Sequence, residues 1–159
     1  MPSSSKIDIN SAAFKRHGLF ADLTEQELNE LIVFLRVERW SLGEHIITEG
    51  DRGGTLYVVH QGGVNVLKHV VSREGEHKGK VISLGEGDTF GEMALLDQQP
   101  YTASVVANAD SIVLALDSAD LRKLNPHIYV TMLANITREV SRRLRAADSY
   151  FATSLFSNH

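Results

Sequence analysis

The sequence contains no cysteine, which excludes a disulfide scaffold, thiolate zinc sites and cysteine nucleophiles. No apolar run approaches the ~20 residues needed to span a bilayer. Nothing apolar follows Met1-Pro2-Ser3-Ser4-Ser5-Lys6, so a secretory leader is not expected. A basic excess is also missing. Sixteen Lys and Arg stand against twenty Asp and Glu, a net charge of −4, unlike a generic nucleic-acid binder. The seven histidines show neither H-x-H nor H-E-x-x-H spacing. A metal role for His45, His60 or His69 is therefore not expected, and a metalloenzyme built in a small β-barrel loses its ligand set. There is no nucleophile elbow, Walker-A loop or GxGxxG, and no acid–base constellation, so the chain does not read as an enzyme. A soluble cytoplasmic protein is the expectation.

What is present is ordinary globular composition: 159 residues, 43% hydrophobic and 23% charged, enough for one real core. Charge is unevenly spread. Residues 1–119 hold 10 basic and 17 acidic side chains, whereas residues 120–159 hold 6 basic and 3 acidic. The change coincides with a change of pattern. The expected organisation is a flexible leader over 1–13 and one domain over 14–159. That domain divides into a helical lead-in (14–36), a β region (37–117) and C-terminal helices (118–157).

Thr24 is placed to cap a helix, with Glu27 at the capping-box position. Leu28, Leu31, Ile32 and Leu35 follow at helical spacing, which predicts a helix over 24–35. Phe20 and Leu23 are expected to pack against it. From Val37 the period falls to two. Residues 56–59 and 64–67 read as strands joined by Gln61-Gly62-Gly63 as a hairpin, and residues 104–107 and 111–116 read as a second pair linked through Asn108-Ala109-Asp110. Residues 45–47 and 80–82 are shorter candidates. Many short strands with glycine corners predict a small antiparallel barrel or sandwich. Residues 118–124 read as a short helix before Pro126. Ile128, Met132, Leu133, Ile136, Val140, Leu144, Ala147 and Phe151 then make one apolar stripe on a helix of about six turns, with Arg138, Arg142, Arg143 and Arg145 mostly off it.

The stretch from Gly85 to Val106 interrupts this pattern. Gly91 precedes a brief helix former, Glu92-Met93-Ala94-Leu95-Leu96. A glycine before a helical turn lets backbone N–H groups converge on an anion. Glu92 at the head of that turn is an acceptor suited to a sugar hydroxyl, and a strand beginning at Tyr101 would close the pocket from below.

Phe90, Gly91, Glu92, Ala94, Leu95, Thr102, Ala103 and Val105 fit one spaced pattern, and with it the segment resembles the phosphate-binding cassette of the cyclic nucleotide-binding domain family. Gly43-Glu44, Glu49-Gly50-Asp51 and Leu56-Tyr57-Val58-Val59 before Gly62 resemble that family's first hairpins, so the resemblance covers roughly residues 14–150. It implies a mainly β fold: an antiparallel, jelly-roll-like β-roll of eight strands, flanked by an N-terminal helix and closed by a long C-terminal helix as lid. It implies cAMP or cGMP as ligand, no metal, and a site at Phe90, Gly91, Glu92, Met93, Ala94, Tyr101, Thr102 and Ala103. A threonine at position 102 goes, in that family, with acceptance of guanine as well as adenine.

One position departs. Where the family has an arginine that pairs with the cyclic phosphate, this chain has Tyr101, a neutral hydroxyl in place of a cationic fork. Hydrogen bonds to charged groups contribute ~1.5–3 kcal/mol, so its loss costs on the order of 10- to 100-fold in affinity. Arg142 and Arg143 are the best-placed substitutes, with Arg52 and Arg73 behind them. Each feature also has a plain reading: Glu92 as a solvated helix-start carboxylate, Thr102 as an ordinary strand residue, Tyr101 as a packed aromatic, and the arginines as a solvated face.

Two functions compete. One is a regulatory sensor that binds a cyclic nucleotide and moves its C-terminal helix. The other is a degenerate module that no longer binds ligand and serves as a protein-interaction or dimerisation domain through the 127–155 helix. Packing of that helix on its own barrel is the simpler use of the stripe. Transcription factors of the catabolite-activator type continue into a helix-turn-helix; with the sequence ending at His159, a stand-alone module without a DNA-reading element is expected.

Overall fold

The structure is a computed structural model and describes residues 11–92 and 98–156. Two antiparallel four-stranded sheets form the roll. One holds β1 (Arg36–Trp40), β8 (Ser111–Asp117), β3 (Thr55–Gln61) and β6 (Thr89–Phe90), side by side in that order. The other holds β2 (His45–Ile47), β7 (Ser104–Ala107), β4 (Val64–Ser72) and β5 (Gly75–Leu84). Helices α1 (Ser11–Phe14) and α2 (Glu25–Ile32), with a 3-10 turn at Gly18–Phe20 between them, precede the sheets; α3 (Ser118–Leu121) and α4 (Pro126–Phe156) follow. α1 thus begins inside the stretch assigned to the leader, and Phe14 is buried.

The capping box at α2 forms as the sequence requires. The Glu27 N–H donates to Thr24 Oγ1 at 3.2 Å, and the Thr24 N–H donates to Glu27 Oε2 at 2.9 Å. The helix ends at Ile32 rather than at 35, yet Leu35 still joins Phe20, Leu23, Leu28 and Leu31 in the core.

β3 and β8 are buried on both faces, and their period-two alternation divides the core in two. Leu56, Val58, Leu114 and Leu116 face the helices, while Tyr57, Val59, Val113 and Ala115 face the second sheet. Each Leu or Val among them stabilises the fold by roughly 1.5–3 kcal/mol when fully buried.

The two expected strand pairings are corrected. Gln61-Gly62-Gly63 is not a hairpin, because β3 and β4 lie in different sheets; nor do β7 and β8 pair with each other. Both links are corners that carry the chain from one sheet to the other. Gly62 sits at φ +85°, where a Cβ would stand 2.5 Å from Ser111 Oγ, and Ser111 Oγ donates to Gly63 O at 2.9 Å. A short glycine link looks the same in sequence whether it folds a strand back or turns it into the next sheet. The true tight hairpin is β4–β5, closed at Ser72↔Gly75. β5 runs well beyond residues 80–82, since its polar first half is held by pairing with β4 rather than by burial.

α4 starts at Pro126, with Asn125 Oδ1 accepting from the His127 N–H at 2.9 Å as cap. Its 31 residues exceed eight turns at ~3.6 residues each, against six expected. Ile128, Met132 and Ile136 are fully buried. The Asn135 amide donates to Leu19 O at 2.9 Å and to Ala21 O at 2.8 Å, pinning the helix to the 3-10 turn. Beyond Ile136 the stripe leaves the core: Val140 is 37% exposed, Leu144 62% and Phe151 65%. No helix among the described residues is long and apolar enough to cross a membrane.

Candidate ligand-binding site

β6 delivers the cassette. The Phe90 ring stacks on that of Tyr57, its register partner on β3, with centroids 4.9 Å apart and planes 7° from parallel. The chain then turns at Gly91, φ +80°, where a Cβ would lie 2.5 Å from Thr55 O. Only glycine lets the cassette approach β3 so closely.

A cavity of about 220 Å³ opens beside this turn, and Phe90, Gly91, Glu92, Tyr101, Thr102 and Ala103 all stand on its wall. Val66, Ile82 and Leu84 from the β4–β5 hairpin give it an apolar side. Met93 and Ala94 lie outside the described residues. The strand expected from Tyr101 starts instead at Ser104, with residues 101–103 leading into it.

Tyr101 is half-buried and committed to the fold. Its hydroxyl accepts from the Thr55 N–H and donates to Thr55 O, both at 3.2 Å. Its backbone is tied as well: its N–H donates to Asp51 O and its carbonyl accepts from the Gly50 N–H, each at 2.9 Å. Burial pushes the phenol above its ordinary pKa. Tyr101 is therefore a packed aromatic that borders the cavity. Thr102 is exposed at the rim, and its carbonyl accepts from Lys68 Nζ at 2.6 Å.

Glu92 is not a solvated helix-start carboxylate. Its side chain is 13% exposed, and burial pushes its pKa up, with its own backbone N–H and the Arg143 guanidinium pulling the other way. Arg143 Nη1 lies 3.4 Å from Glu92 Oε1, and Arg143 is the cation on the cavity wall. Its Nη2 donates to Thr89 O at 2.5 Å and also to Glu139 Oε1. Glu139 in turn accepts from the Thr89 N–H at 3.0 Å and from Thr89 Oγ1 at 2.7 Å. Thr89 is fully buried, so α4 grips all three of its polar groups.

The other arginines stand apart. Arg142 reaches Asp88 at 3.9 Å and is mostly exposed. Arg52 lines a different cleft with Arg122, and Arg73 sits in the β4–β5 turn. Glu139 and Lys68 were not singled out in the sequence. For Glu139, its i, i+4 spacing to Arg143 was the available signal. Among the described residues no group of three or more His, Asp or Glu side chains could hold a metal ion.

The helix-flanked β-roll thus brings a glycine turn, a buried carboxylate and a guanidinium together on one cavity. The family described as "Cyclic nucleotide-binding domain" matches residues 37–125, more than half of the chain, and the chain belongs to it. It is a ligand-binding family and not a catalytic one. The chain is 36% identical over 122 residues to a cAMP-dependent protein kinase regulatory subunit of Yarrowia lipolytica, covering 77% of this chain and 30% of that protein. It is 32% identical over 136 residues to a cGMP-dependent protein kinase of Toxoplasma gondii, covering 84% of this chain and 13% of that one. The chain thus spans less than a third of either relative. Among solved structures, the Thermus thermophilus catabolite activator protein superposes with a TM-score of 0.72 at 31% identity, over 87% of this chain and 63% of that one.

Proposed function

We propose that the chain is a regulatory sensor that binds cAMP or cGMP in the cavity beside Gly91 and signals through α4. The observation that carries this reading is convergence: residues from β6, from the 101–103 segment and from the middle of α4 meet on one cavity wall. In this reading the Glu92 carboxylate accepts from a ribose hydroxyl. The phosphate lies by the Gly91 turn, near the Thr102 hydroxyl, and Arg143 supplies the cation that Tyr101, holding Thr55, does not. The base rests against the apolar side formed by Val66, Ile82 and Leu84. Because Arg143 and Glu139 hold Thr89, a phosphate that draws on Arg143 also changes how α4 is held, which couples ligand to helix. Ligand shifts that equilibrium only by its differential affinity for the two arrangements. The relatives' names, one cAMP-dependent and one cGMP-dependent, support the ligand class and leave the base open. The protein would act in the cytoplasm, in signal transduction.

Calorimetric titration of the full chain with cAMP and cGMP, beside thermal unfolding, tests the reading. Heat of binding and a raised Tm are expected at sub-millimolar to millimolar ligand; neither response at millimolar ligand sinks it. A second reading is favoured by one specific observation, the exposure of Val140, Leu144, Tyr150 and Phe151 on α4. These side chains would form the face through which two copies, or this chain and a partner protein, associate.

A further inference from the structure

On the reading just given, Arg143 is the cation available to a ligand phosphate, yet it is already occupied. Its Nη2 donates to Glu139 Oε1 and, at 2.5 Å, to Thr89 O, and its Nη1 faces Glu92 Oε1 at 3.4 Å. All three side chains are largely withdrawn from water: 22% exposed for Arg143, 11% for Glu139 and 13% for Glu92. One guanidinium thus answers two carboxylates. Glu92 has a task in the ribose reading. Glu139 has none there: it is not among the residues on the cavity wall, and its two oxygens are divided between Arg143 and Thr89.

We infer that Glu139 is the specificity-determining residue of this site: by holding the Arg143 guanidinium it withholds that cation from a phosphate, and so sets how strongly a cyclic nucleotide is preferred over the uncharged ribonucleoside. Charge decides the preference. A cyclic phosphate brings a third negative group to a single guanidinium, so it must displace Glu139 or share the cation with it. A ribonucleoside has no phosphate and competes with neither carboxylate; its sugar uses Glu92 and its base uses the apolar wall. Lys68 donates its Nζ to Thr102 O at 2.6 Å and is not among the residues on the cavity wall. The i, i+4 order of Glu139 before Arg143 is the favourable one on a helix, which makes the hold persistent.

The test compares cAMP with adenosine, which shares base and ribose but lacks phosphate, on the full chain and on Glu139→Gln. The glutamine keeps an acceptor for Thr89 and removes the charge. Cyclic AMP is expected to bind Glu139→Gln about tenfold or more tighter than the unaltered protein, the scale of one charge-assisted hydrogen bond, while adenosine changes by less than about twofold. Parallel shifts for both probes, or unchanged cAMP affinity, overturn the inference and leave the site itself standing. Failure of both probes to bind either protein overturns the site reading and the inference with it. Glu139→Asp keeps the charge and shortens the reach; should the glutamine variant not fold, its cAMP-to-adenosine ratio decides in the same way. A raised ratio supports the inference and an unmoved ratio overturns it.

Discussion

Arg143, more than fifty residues along the chain from Glu92, stands 3.4 Å from it, so the middle of the C-terminal helix forms part of the wall of the cassette cavity. The pairing gives the site a cation although position 101 holds a tyrosine. On the proposed reading it also makes the helix part of the site, since a ligand group that uses Arg143 would act on α4 directly.

Restoring the cassette arginine tests how intact the remaining cradle is. Tyr101→Arg should raise cyclic-nucleotide affinity on the order of 10- to 100-fold, the worth of one charge-assisted pairing. It removes two hydrogen bonds to Thr55, at a cost of about 1–2 kcal/mol in stability. Calorimetry and thermal unfolding read the two effects separately. Unchanged affinity in a folded variant would mean that the pocket is remodelled around the tyrosine.

Glu92→Gln should weaken any ligand that carries a ribose, by about tenfold or more, because a carboxylate acceptor becomes a neutral amide. Since burial raises its pKa, the same loss should set in for the unaltered protein as pH falls, and at a higher pH than for an exposed glutamate. Competition titrations across pH measure both. Full binding by Glu92→Gln places the ligand elsewhere.

A histidine pair outside the cavity predicts an acid-labile fold. His17 Nε2 and His60 Nδ1 are 3.0 Å apart, a bond that needs one ring nitrogen to accept. Burial, with the charges of His60 and Arg16 behind it and Glu86 opposing, lowers the His17 pKa from 6.5 to about 4. The unfolded chain therefore takes up a proton that the folded one refuses between those values. Stability is whole above pH 6.5 and falls as pH drops toward 4, by at most about 3 kcal/mol at ~1.36 kcal/mol per pKa unit. Denaturant unfolding at stepped pH should show this slope, and His17→Gln should flatten it. An equal slope in both proteins removes His17 as its cause.

Leu144→Asp separates the two uses of α4. Leu144 is 62% exposed, so the variant should keep its Tm within a few degrees. If the exposed face associates two copies, light scattering reads a dimer for the unaltered protein and a monomer for the variant. A monomer in both cases removes self-association and leaves the face to a partner protein.

The sequence made legible those parts of the fold that local chemistry decides. Thr24 and Glu27 cap a helix because both partners lie within one turn. β3 and β8 alternate because both their faces are buried. The cassette is spaced by a glycine that Thr55 O makes obligatory. What escaped was set by tertiary pairing. Gln61-Gly62-Gly63 turns a corner only because β8 and β6 flank β3 and leave no edge for β4. The polar stretch Gly75-Glu76-His77-Lys78-Gly79 is a strand because β4 is beside it. The α4 stripe has one spacing from Ile128 to Phe151, and spacing alone does not say that the roll covers it only as far as Ile136. On the cavity wall, Phe90, Gly91, Glu92, Thr102 and Ala103 match a spaced motif, Tyr101 is the position where the chain departs from it, and Arg143 is named from its place on the helix. Glu139 came from neither: its i, i+4 spacing to Arg143 is a signal shared by many solvated helix pairs, and only the folded contact with Thr89 sets it apart.

The proposed function stands on a sugar-phosphate bound beside Gly91, between Glu92 and Arg143. Backbone amide spectra recorded as cAMP is added to isotope-labelled protein test it most directly. The largest shifts are expected on Gly91, Glu92, Thr102 and Ala103, with smaller ones spreading along α4 from Arg143. Shifts confined to other surfaces, or a spectrum unmoved at millimolar cAMP, would contradict it.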